Sequence, residues 1–346
     1  MAGMKKAPVF FLSAAIFCSL LTAISARAES YMDSARLDFF TGAQEFLFND
    51  RFASADSAYA AHIVKEPADP AGYLFRAAGL MAEMSDREEN LHPDRFYELL
   101  DITDSLTGHI LDTCGARTAA WMYLLRGHTL AYRSLWESRF GSFLSAVKCG
   151  FAANGQYEKG LECDSTLIDL YAGIGSYHYW KSAKTGLLRL VGVFRNEKEK
   201  GIAELRRAAA QSQLHRDLAR SALIWIWLDK RAYDSARTLA AEFVRRYPDG
   251  KTFLWPMAQA LFRQGNYAQA GEAYQTLRSK LEGSPGNYYN LIEVDYYITQ
   301  SFNWMGEDEN ARISAGRLME YYDKIPKETL KRQRSRINFL EKITAR

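Results

Sequence analysis

Proline is scarce in this sequence, and the eight prolines among its 346 residues fall between the predicted elements. Because proline removes a backbone donor and interrupts helices, this spacing is compatible with long helices between the prolines. No stretch shows the sustained alternation of apolar and polar residues that is typical of half-buried strands. The chain is therefore predicted to be helical almost throughout.

Cysteine is also scarce, and no CxxC motif or Cys/His cluster indicates a metal site. Apart from Cys18 near the start, the chain contains Cys114, Cys149 and Cys163. Cys149 and Cys163 could form a disulfide only if the chain reverses at Asn154-Gly155, because one continuous helix would hold them about 21 Å apart. Buried, inert thiols are the alternative.

The sequence lacks the common catalytic signatures. It contains no HExxH zinc helix, no GxSxG nucleophile elbow and no GxxxxGK[ST] phosphate loop. Gly173 and Gly175 spell GxG, but no strand precedes them, which argues against a dinucleotide loop. The chain is therefore predicted to be no enzyme and to bind no metal or other cofactor. The sequence has six scattered histidines: His62, His92, His109, His128, His178 and His215. Two of them, His128 and His178, align with apolar or aromatic helix positions and are predicted to be core residues.

The start of the chain, positions 1–28, has the pattern of a secretory signal peptide. Lys5 and Lys6 precede an apolar run from Ala7 to Ala26, and Ala26-Arg27-Ala28 offers a small-x-small cleavage site. An uncleaved membrane anchor is the rival interpretation, because about 20 apolar residues can span a bilayer. The pattern predicts export, and we expect a periplasmic or outer-membrane-associated protein of a Gram-negative bacterium.

Loss of this segment would leave the chain without net charge. The whole sequence has 44 basic and 41 acidic residues, and the segment contains Lys5, Lys6 and Arg27 but no acid. The remainder therefore has as many bases as acids. A field that would attract nucleic acid is not indicated, so no nucleic-acid partner is expected.

Two consecutive blocks, at positions 217–246 and 251–280, match each other at a constant offset. Aligned on their turns, they place Tyr233 over Tyr267 and Ala236 over Ala270. A fixed period of about 34 residues is typical of helix-turn-helix arrays, in which no single hairpin can bury its apolar face without a neighbour.

The residues in these blocks resemble the tetratricopeptide repeat (TPR) family, which pairs two helices carrying aromatic, small and apolar residues at set positions. In the second block the closing proline of the family is replaced by Glu282. The first block offers Leu223, Ile224, Trp227, Tyr233, Ala236, Ala240, Phe243 and Pro248, and the second offers Leu254, Met257, Ala258, Leu261, Tyr267, Ala270, Tyr274 and Leu277.

The resemblance implies an all-α fold, a right-handed α-solenoid of about seven TPR-like helical hairpins with a C-terminal capping helix. Each hairpin is expected to contact only its neighbours. After the signal peptide, residues 1–28, the solenoid is predicted to occupy residues 29–346. It divides into an N-terminal repeat at 29–69, degenerate repeats at 70–192, clear repeats at 193–325 and a basic capping helix at 326–346.

In such arrays the first helix of each hairpin lines the concave wall, so side chains at helical spacing there face a groove. Large aromatics recur at these positions, and Tyr and Trp combine a large contact area with a polar group. Pro256 is expected to bias the preceding Trp255 away from helical angles. The predicted groove consists of Tyr179, Trp180, Trp225, Asp229, Trp255, Gln259, Phe262, Arg263, Tyr296, Gln300, Asn303 and Trp304.

The resemblance implies a non-catalytic exported scaffold that binds a protein or peptide of unknown identity through this aromatic-rich face. An envelope receptor for a glycan or another small ligand is the alternative, because stacking on the same rings would recognise sugars.

The predicted capping helix has an excess of positive charge. The segment from Lys327 to Arg346 contains seven basic residues and only two acidic residues, Glu328 and Glu341. Such a helix either docks on acidic lipid headgroups or an acidic partner, or forms a solvated face. Membrane contact is otherwise expected only through the signal peptide before cleavage.

Overall fold

A computed structural model describes residues 31–184 and 195–345. The predicted signal peptide lies outside the described residues. Within them, no helix has the length and apolarity needed to cross a membrane. The described residues form sixteen α-helices, here numbered α1 to α16: Ser34–Phe48, Phe52–Lys65, Pro70–Arg87, Pro93–Leu111, Ala116–Phe140, Phe143–Cys163, Leu170–Lys184, Lys198–Gln211, Arg216–Asp229, Tyr233–Arg246, Leu254–Arg263, Tyr267–Glu282, Tyr288–Met305, Asp308–Gly316, Lys327–Arg332 and Arg334–Thr344.

Among the described residues, consecutive helices pack against each other from α1 to α14. The pairs α1/α2, α3/α4, α5/α6, α7/α8, α9/α10, α11/α12 and α13/α14 form seven consecutive hairpins. The predicted all-α array of seven TPR-like hairpins is therefore confirmed.

Small residues allow the two helices of a hairpin to approach closely. The Cα of Gly175 on α7 faces α8 so tightly that a Cβ there would lie 2.7 Å from the carbonyl oxygen of Gly201. The residues that correspond to Gly201 on the second helices of the next two hairpins, Ala236 and Ala270, are both completely buried. Their neighbours Phe243 and Leu277 are buried as well, so the two aligned blocks have like surroundings.

The turns inside the hairpins preserve the predicted spacing. Arg231, Gly265 and Gly306 each adopt a positive φ, at 59°, 81° and 76°. The step from Arg231 to Gly265 equals the offset of the two aligned blocks, and the step from Gly265 to Gly306 is longer. The additional residues of the longer step do not lie in the loop between α12 and α13. They lie in the helices, because α12 and α13 have 16 and 18 residues against 14 and 10 in α10 and α11.

The region with the weakest repeat signal contains the longest hairpin. α6 runs through Asn154-Gly155 without a break, so the chain does not reverse there and Cys149 and Cys163 lie on one helix. All three described cysteines are free and half-buried rather than fully buried. α7 follows at Leu170, and Gly173 and Gly175 lie inside this helix rather than in a phosphate loop.

The expectation that each hairpin contacts only its neighbours is wrong at the N-terminal end. Phe48, at the end of α1, packs its ring against Tyr247 and Phe253 with centroids 5.0 and 5.4 Å away. These partners lie far along the chain, in the loop between α10 and α11. The sequence showed no periodic signal for this contact, because it joins a helix end to a loop.

Buried charges strengthen this long-range contact, which we call the seam. Lys251 is 3% exposed, and its Nζ lies 2.7 Å from the Asp50 carboxylate and 3.4 Å from that of Asp86. Asn287 donates from Nδ2 to the Asp86 carbonyl oxygen at 2.9 Å, and Asn290 donates to the same oxygen. The seam therefore joins the first two hairpins to the loops before α11 and α13.

The C-terminal end is covered by α16, whose Ile337, Leu340 and Ile343 are buried against α13 and α14. The capping element was predicted as a single helix from Pro326 to Thr344 and consists instead of two, α15 and α16. Gln333, between them, is 1% exposed and donates from Nε2 to the Tyr289 carbonyl oxygen at 3.0 Å. The bond holds the chain against α13 at the residue where the two helices meet.

The close approach of α7 and α8 predicts a large cost for a single methyl group. Gly201→Ala would place a Cβ 2.6 Å from the Gly175 oxygen and 2.7 Å from the Tyr179 nitrogen. We expect the free energy of unfolding to fall by about 1–3 kcal/mol in urea denaturation. Gly42→Ala, in a helix with open space around it, is the control and should raise stability by about 0.5–1 kcal/mol. Equal effects of the two substitutions would contradict the close contact.

The seam predicts a pH dependence. Burial raises the pKa of Asp86 from 3.8 to about 6, against the opposing charge of Lys251. The folded state thus retains a proton that the unfolded state releases, so Asp86 contributes stability below about pH 4 that is lost as the pH rises through 6. We expect the stability of the wild type relative to Asp86→Asn to decline from pH 4 to 7 in urea titrations. A pH-independent difference would rule out this assignment.

Candidate binding surface

The first helices of three successive hairpins present equivalent positions to solvent. We define the A-helix row as Trp225 and Asp229 on α9, Gln259 and Arg263 on α11, and Gln300 and Trp304 on α13. Within each helix the two members are one turn apart and therefore share one face. Corresponding residues on α9, α11 and α13 are separated in the sequence by the same numbers of residues as Arg231, Gly265 and Gly306, the positive-φ residues that follow these helices.

The two tryptophans of the row are the large rings that remain accessible. Trp225 is 43% and Trp304 is 63% exposed. One face of Trp304 stacks on Tyr267, with centroids 5.9 Å apart and planes inclined by 12°. A ring held by a neighbour on one side and open on the other loses little freedom on binding, which suits a contact residue.

Tyr179 does not belong to the exposed surface, which corrects its predicted position in the groove. Its side chain is completely buried between α7 and α8, and its hydroxyl donates to the Asp229 carboxylate at 2.6 Å. Lys198 lies 3.6 Å from the same carboxylate. Tyr179 and Lys198 therefore hold Asp229 in place at the first end of the row.

Trp255 is helical despite the proline that follows it, contrary to expectation. α11 begins at Leu254, so Pro256 lies in the first turn, where a missing N–H costs no intrahelical bond. The Trp255 ring is half-buried and meets Tyr274 edge-on at 6.2 Å. It contributes to the core between α11 and α12 more than to the surface.

Phe262 and Tyr296 also fill gaps between helices. Phe262 packs edge-on against Tyr267 and Tyr297, at 5.4 and 5.0 Å. Tyr296 lies against Phe339 of α16 at 5.1 Å and accepts a hydrogen bond from Gln300 Nε2 at 2.6 Å. Both rings are half-buried, so only their edges are available to a partner.

Two further predicted residues flank the row. Trp180 is half-buried, and Lys184 Nζ lies 5.6 Å from its ring centroid. Asn303 is half-buried next to Trp304 and lines a shallow depression with Asp308, Glu309 and Arg312. Neither side chain is enclosed.

The row combines both signs of charge with amides. Asp229 is exposed at one end and Arg263 is exposed in the middle. Burial raises the pKa of Tyr296, and the positive charges of Arg336 and Arg263 oppose this rise, so both cations act on the surface between α11 and α13. Gln259 and Gln300 add groups that both donate and accept hydrogen bonds.

Among the described residues, one group combines side chains of the types that bind metals, and its histidine is one of the six that are scattered in the sequence. His62, Glu66 and Asp69 approach one another within 4.8 Å. The sequence could have indicated this group, because its three residues lie close together in the chain at the junction of α2 and α3. Arg36 already pairs with Glu66 at 2.6 Å, and Asp69 accepts from the Ala71 backbone and from the Tyr31 hydroxyl. The group is therefore a satisfied structural network at the base of the first hairpin.

The two histidines predicted to be core residues are both buried. His128 Nδ1 lies 3.0 Å from the Tyr157 hydroxyl, and His178 Nδ1 lies 2.6 Å from Glu204. Burial lowers the pKa of His128 well below its usual value, so this imidazole is neutral at physiological pH.

Comparisons with known proteins give a general likeness. No protein-family model matches the chain, and no curated protein matches it significantly. Among solved structures, the C-terminal part of a TPR repeat-containing protein from Cytophaga hutchinsonii is 18% identical, with a TM-score of 0.44 over 84% of this chain and 98% of the other. The TPR domain of P58(IPK) is 10% identical, with a TM-score of 0.26 over 89% of this chain and 98% of the other. Because both TM-scores are below 0.5, the description of the fold rests on this chain's own helix pairing and repeat spacing.

The exposure of the two tryptophans predicts that they can be removed without unfolding the protein. We expect Trp225→Ala and Trp304→Ala each to lower the free energy of unfolding by no more than about 1.5 kcal/mol, since Trp304 loses a single aromatic contact. Tyr274→Ala, at a completely buried ring, should cost about 3–5 kcal/mol. Urea denaturation measures all three, and a cost at Trp225 or Trp304 as large as at Tyr274 would show that the ring is structural.

Proposed function

We propose that the chain is a non-catalytic scaffold that binds an extended peptide segment of a partner protein along the A-helix row. The observation that supports this proposal most directly is the exposure of Trp225 and Trp304 at repeat-equivalent faces of α9 and α13. Few other large rings of the predicted groove stay accessible, so these two are the natural contact residues.

The polar members of the row fit a peptide backbone. An extended strand offers alternating N–H and C=O groups, and the Gln259 and Gln300 amides can donate to one and accept from the other. An α-helix with its side chains is about 10 Å across, so a surface formed by three first helices is as long as several extended residues. Asp229 and Arg263 would then select for charge and direction along the segment.

The same rings could stack on sugars, which is the rival function. A glycan site needs one open aromatic face, and Trp304 keeps one because Tyr267 covers only the other. The opposite charges of Asp229 and Arg263 and the two glutamine amides favour a protein partner, whose backbone and charged side chains they can bind. Export to the bacterial envelope remains part of the proposal, on the signal-like pattern at positions 1–28.

The test is the binding of an envelope peptide library and a glycan panel to the wild type and to Trp225→Ala/Trp304→Ala. We expect peptide ligands to bind the wild type and to lose at least about tenfold in affinity in the double variant, because contact tryptophans commonly contribute more than about 1.4 kcal/mol. Ile313→Ala/Met319→Ala removes two exposed apolar side chains outside the row and is the matched control.

Unchanged peptide affinity in the tryptophan variant would reject the row as the binding surface. Binding of glycans alone would support the receptor function instead.

A further inference from the structure

The bend between α5 and α6 exposes bulky apolar side chains that the proposed scaffold function does not use. Phe143 and Leu144 are 75% and 71% exposed, and Val147, one turn later, is 38% exposed. Residues spaced in this way share one face of a helix. They open the first turn of α6, so the apolar surface lies at the end of the hairpin.

This hairpin is longer than the others. α5 has 25 residues and α6 has 21, whereas α9 and α10 have 14 each. At about 1.5 Å per residue α5 is longer than α9 by about 16 Å. The additional turns are ordered: Ser134 Oγ donates to the Ala146 carbonyl oxygen at 2.7 Å, and Glu137 accepts from the Ser142 backbone at 3.0 Å. The apolar end therefore rests on a stable support.

Positive charge lies at the same end of the molecule. The Arg332 guanidinium of α15 lies 5.7 Å from the centroid of Phe140, the last residue of α5. Arg332 and Arg139 both pair with Glu88, at 2.9 and 3.1 Å, so one carboxylate serves two guanidiniums and the group keeps a net positive charge. The C-terminal basic cluster is thus fixed beside the bend.

The same two elements, α6 and α15, carry further exposed cations. Lys148 follows Val147 on α6 and is exposed. Lys327 and Lys331 of α15 are exposed as well. The acidic residue of α15 is Glu328, which offsets one of these positive charges. The bend is therefore apolar at its end, and cations outnumber the carboxylates of Glu88, Glu137 and Glu328 on the surface that it forms with α15.

We propose that this surface, the α5–α6 bend with α15 beside it, docks on an anionic lipid surface. Two adjacent bulky side chains at the end of a hairpin can enter the headgroup region without a complementary pocket, and neighbouring lysines and arginines are attracted to acidic headgroups. A protein partner of ordinary affinity requires a larger complementary area than a few side chains on a protruding end provide. Charge complementarity thus favours lipid as the occupant.

The test uses the full chain and vesicles of phosphatidylcholine with or without phosphatidylglycerol. We expect co-sedimentation with the anionic vesicles to weaken at least about tenfold in Phe143→Ser/Leu144→Ser, which removes the two bulky apolar side chains. Lys148→Glu/Lys331→Glu should weaken it at least about fivefold at low salt and have little effect on phosphatidylcholine alone. Val64→Ser, at an apolar side chain that is 84% exposed on α2, is the matched control and should bind as the wild type does.

A local readout separates this contact from binding through the apolar segment at positions 1–28. A benzophenone side chain placed at position 144 should cross-link to lipid far more than the same group at position 64. Equal cross-linking at the two positions, or unchanged sedimentation of Phe143→Ser/Leu144→Ser, overturns the proposal. Concentration-dependent self-association that disappears in the same variant also overturns it and identifies the bend as an interface between two copies. Failure of the peptide-binding experiment would leave this result unaffected, because the two surfaces share no residue.

Discussion

The structure depends on the need of each hairpin to cover an apolar face of the next. A pair of helices with 14 residues each cannot enclose a core of its own. Ala236 and Ala270 are completely buried where neighbouring helices pack together into a shared core. The close approach of Gly175 to Gly201 depends on small residues in the same way. Regular spacing of the turns follows, because every hairpin must present its face at a similar angle to its neighbour.

The two ends of the array make different contacts. The C-terminal end is covered by α16, whose apolar side packs on α13 and α14. At the N-terminal end the first two hairpins contact distant loops of the chain through Phe48, Lys251 and Asp86. A cation that is 3% exposed between two carboxylates is costly to separate, so the seam fixes the geometry between distant parts of the chain.

These contacts determine which surfaces remain for binding. The α9, α11 and α13 faces that carry Trp225, Arg263 and Trp304 are directed away from the shared cores, and their amides and charges remain accessible. The α5–α6 bend is a second accessible surface with a different character, because it is apolar at its end and Arg332 of α15 lies beside it. Two separate surfaces of different chemistry are consistent with a scaffold that holds one partner while it is itself positioned.

The sequence by itself determined the helical class, the hairpin order and the small-residue contacts, because these depend on neighbours in the chain and recur at a fixed period. It also identified the faces of α9 and α13 that stay exposed. Only the tertiary structure decided the seam, the burial of Tyr179 and the position of the basic helix beside the α5–α6 bend. These features join groups that are far apart in the chain, at places without periodic pattern where a loop or a helix end meets its partner. A local repeat specifies which face of a helix is apolar, but which distant groups meet depends on the summed rotation of all the hairpins between them.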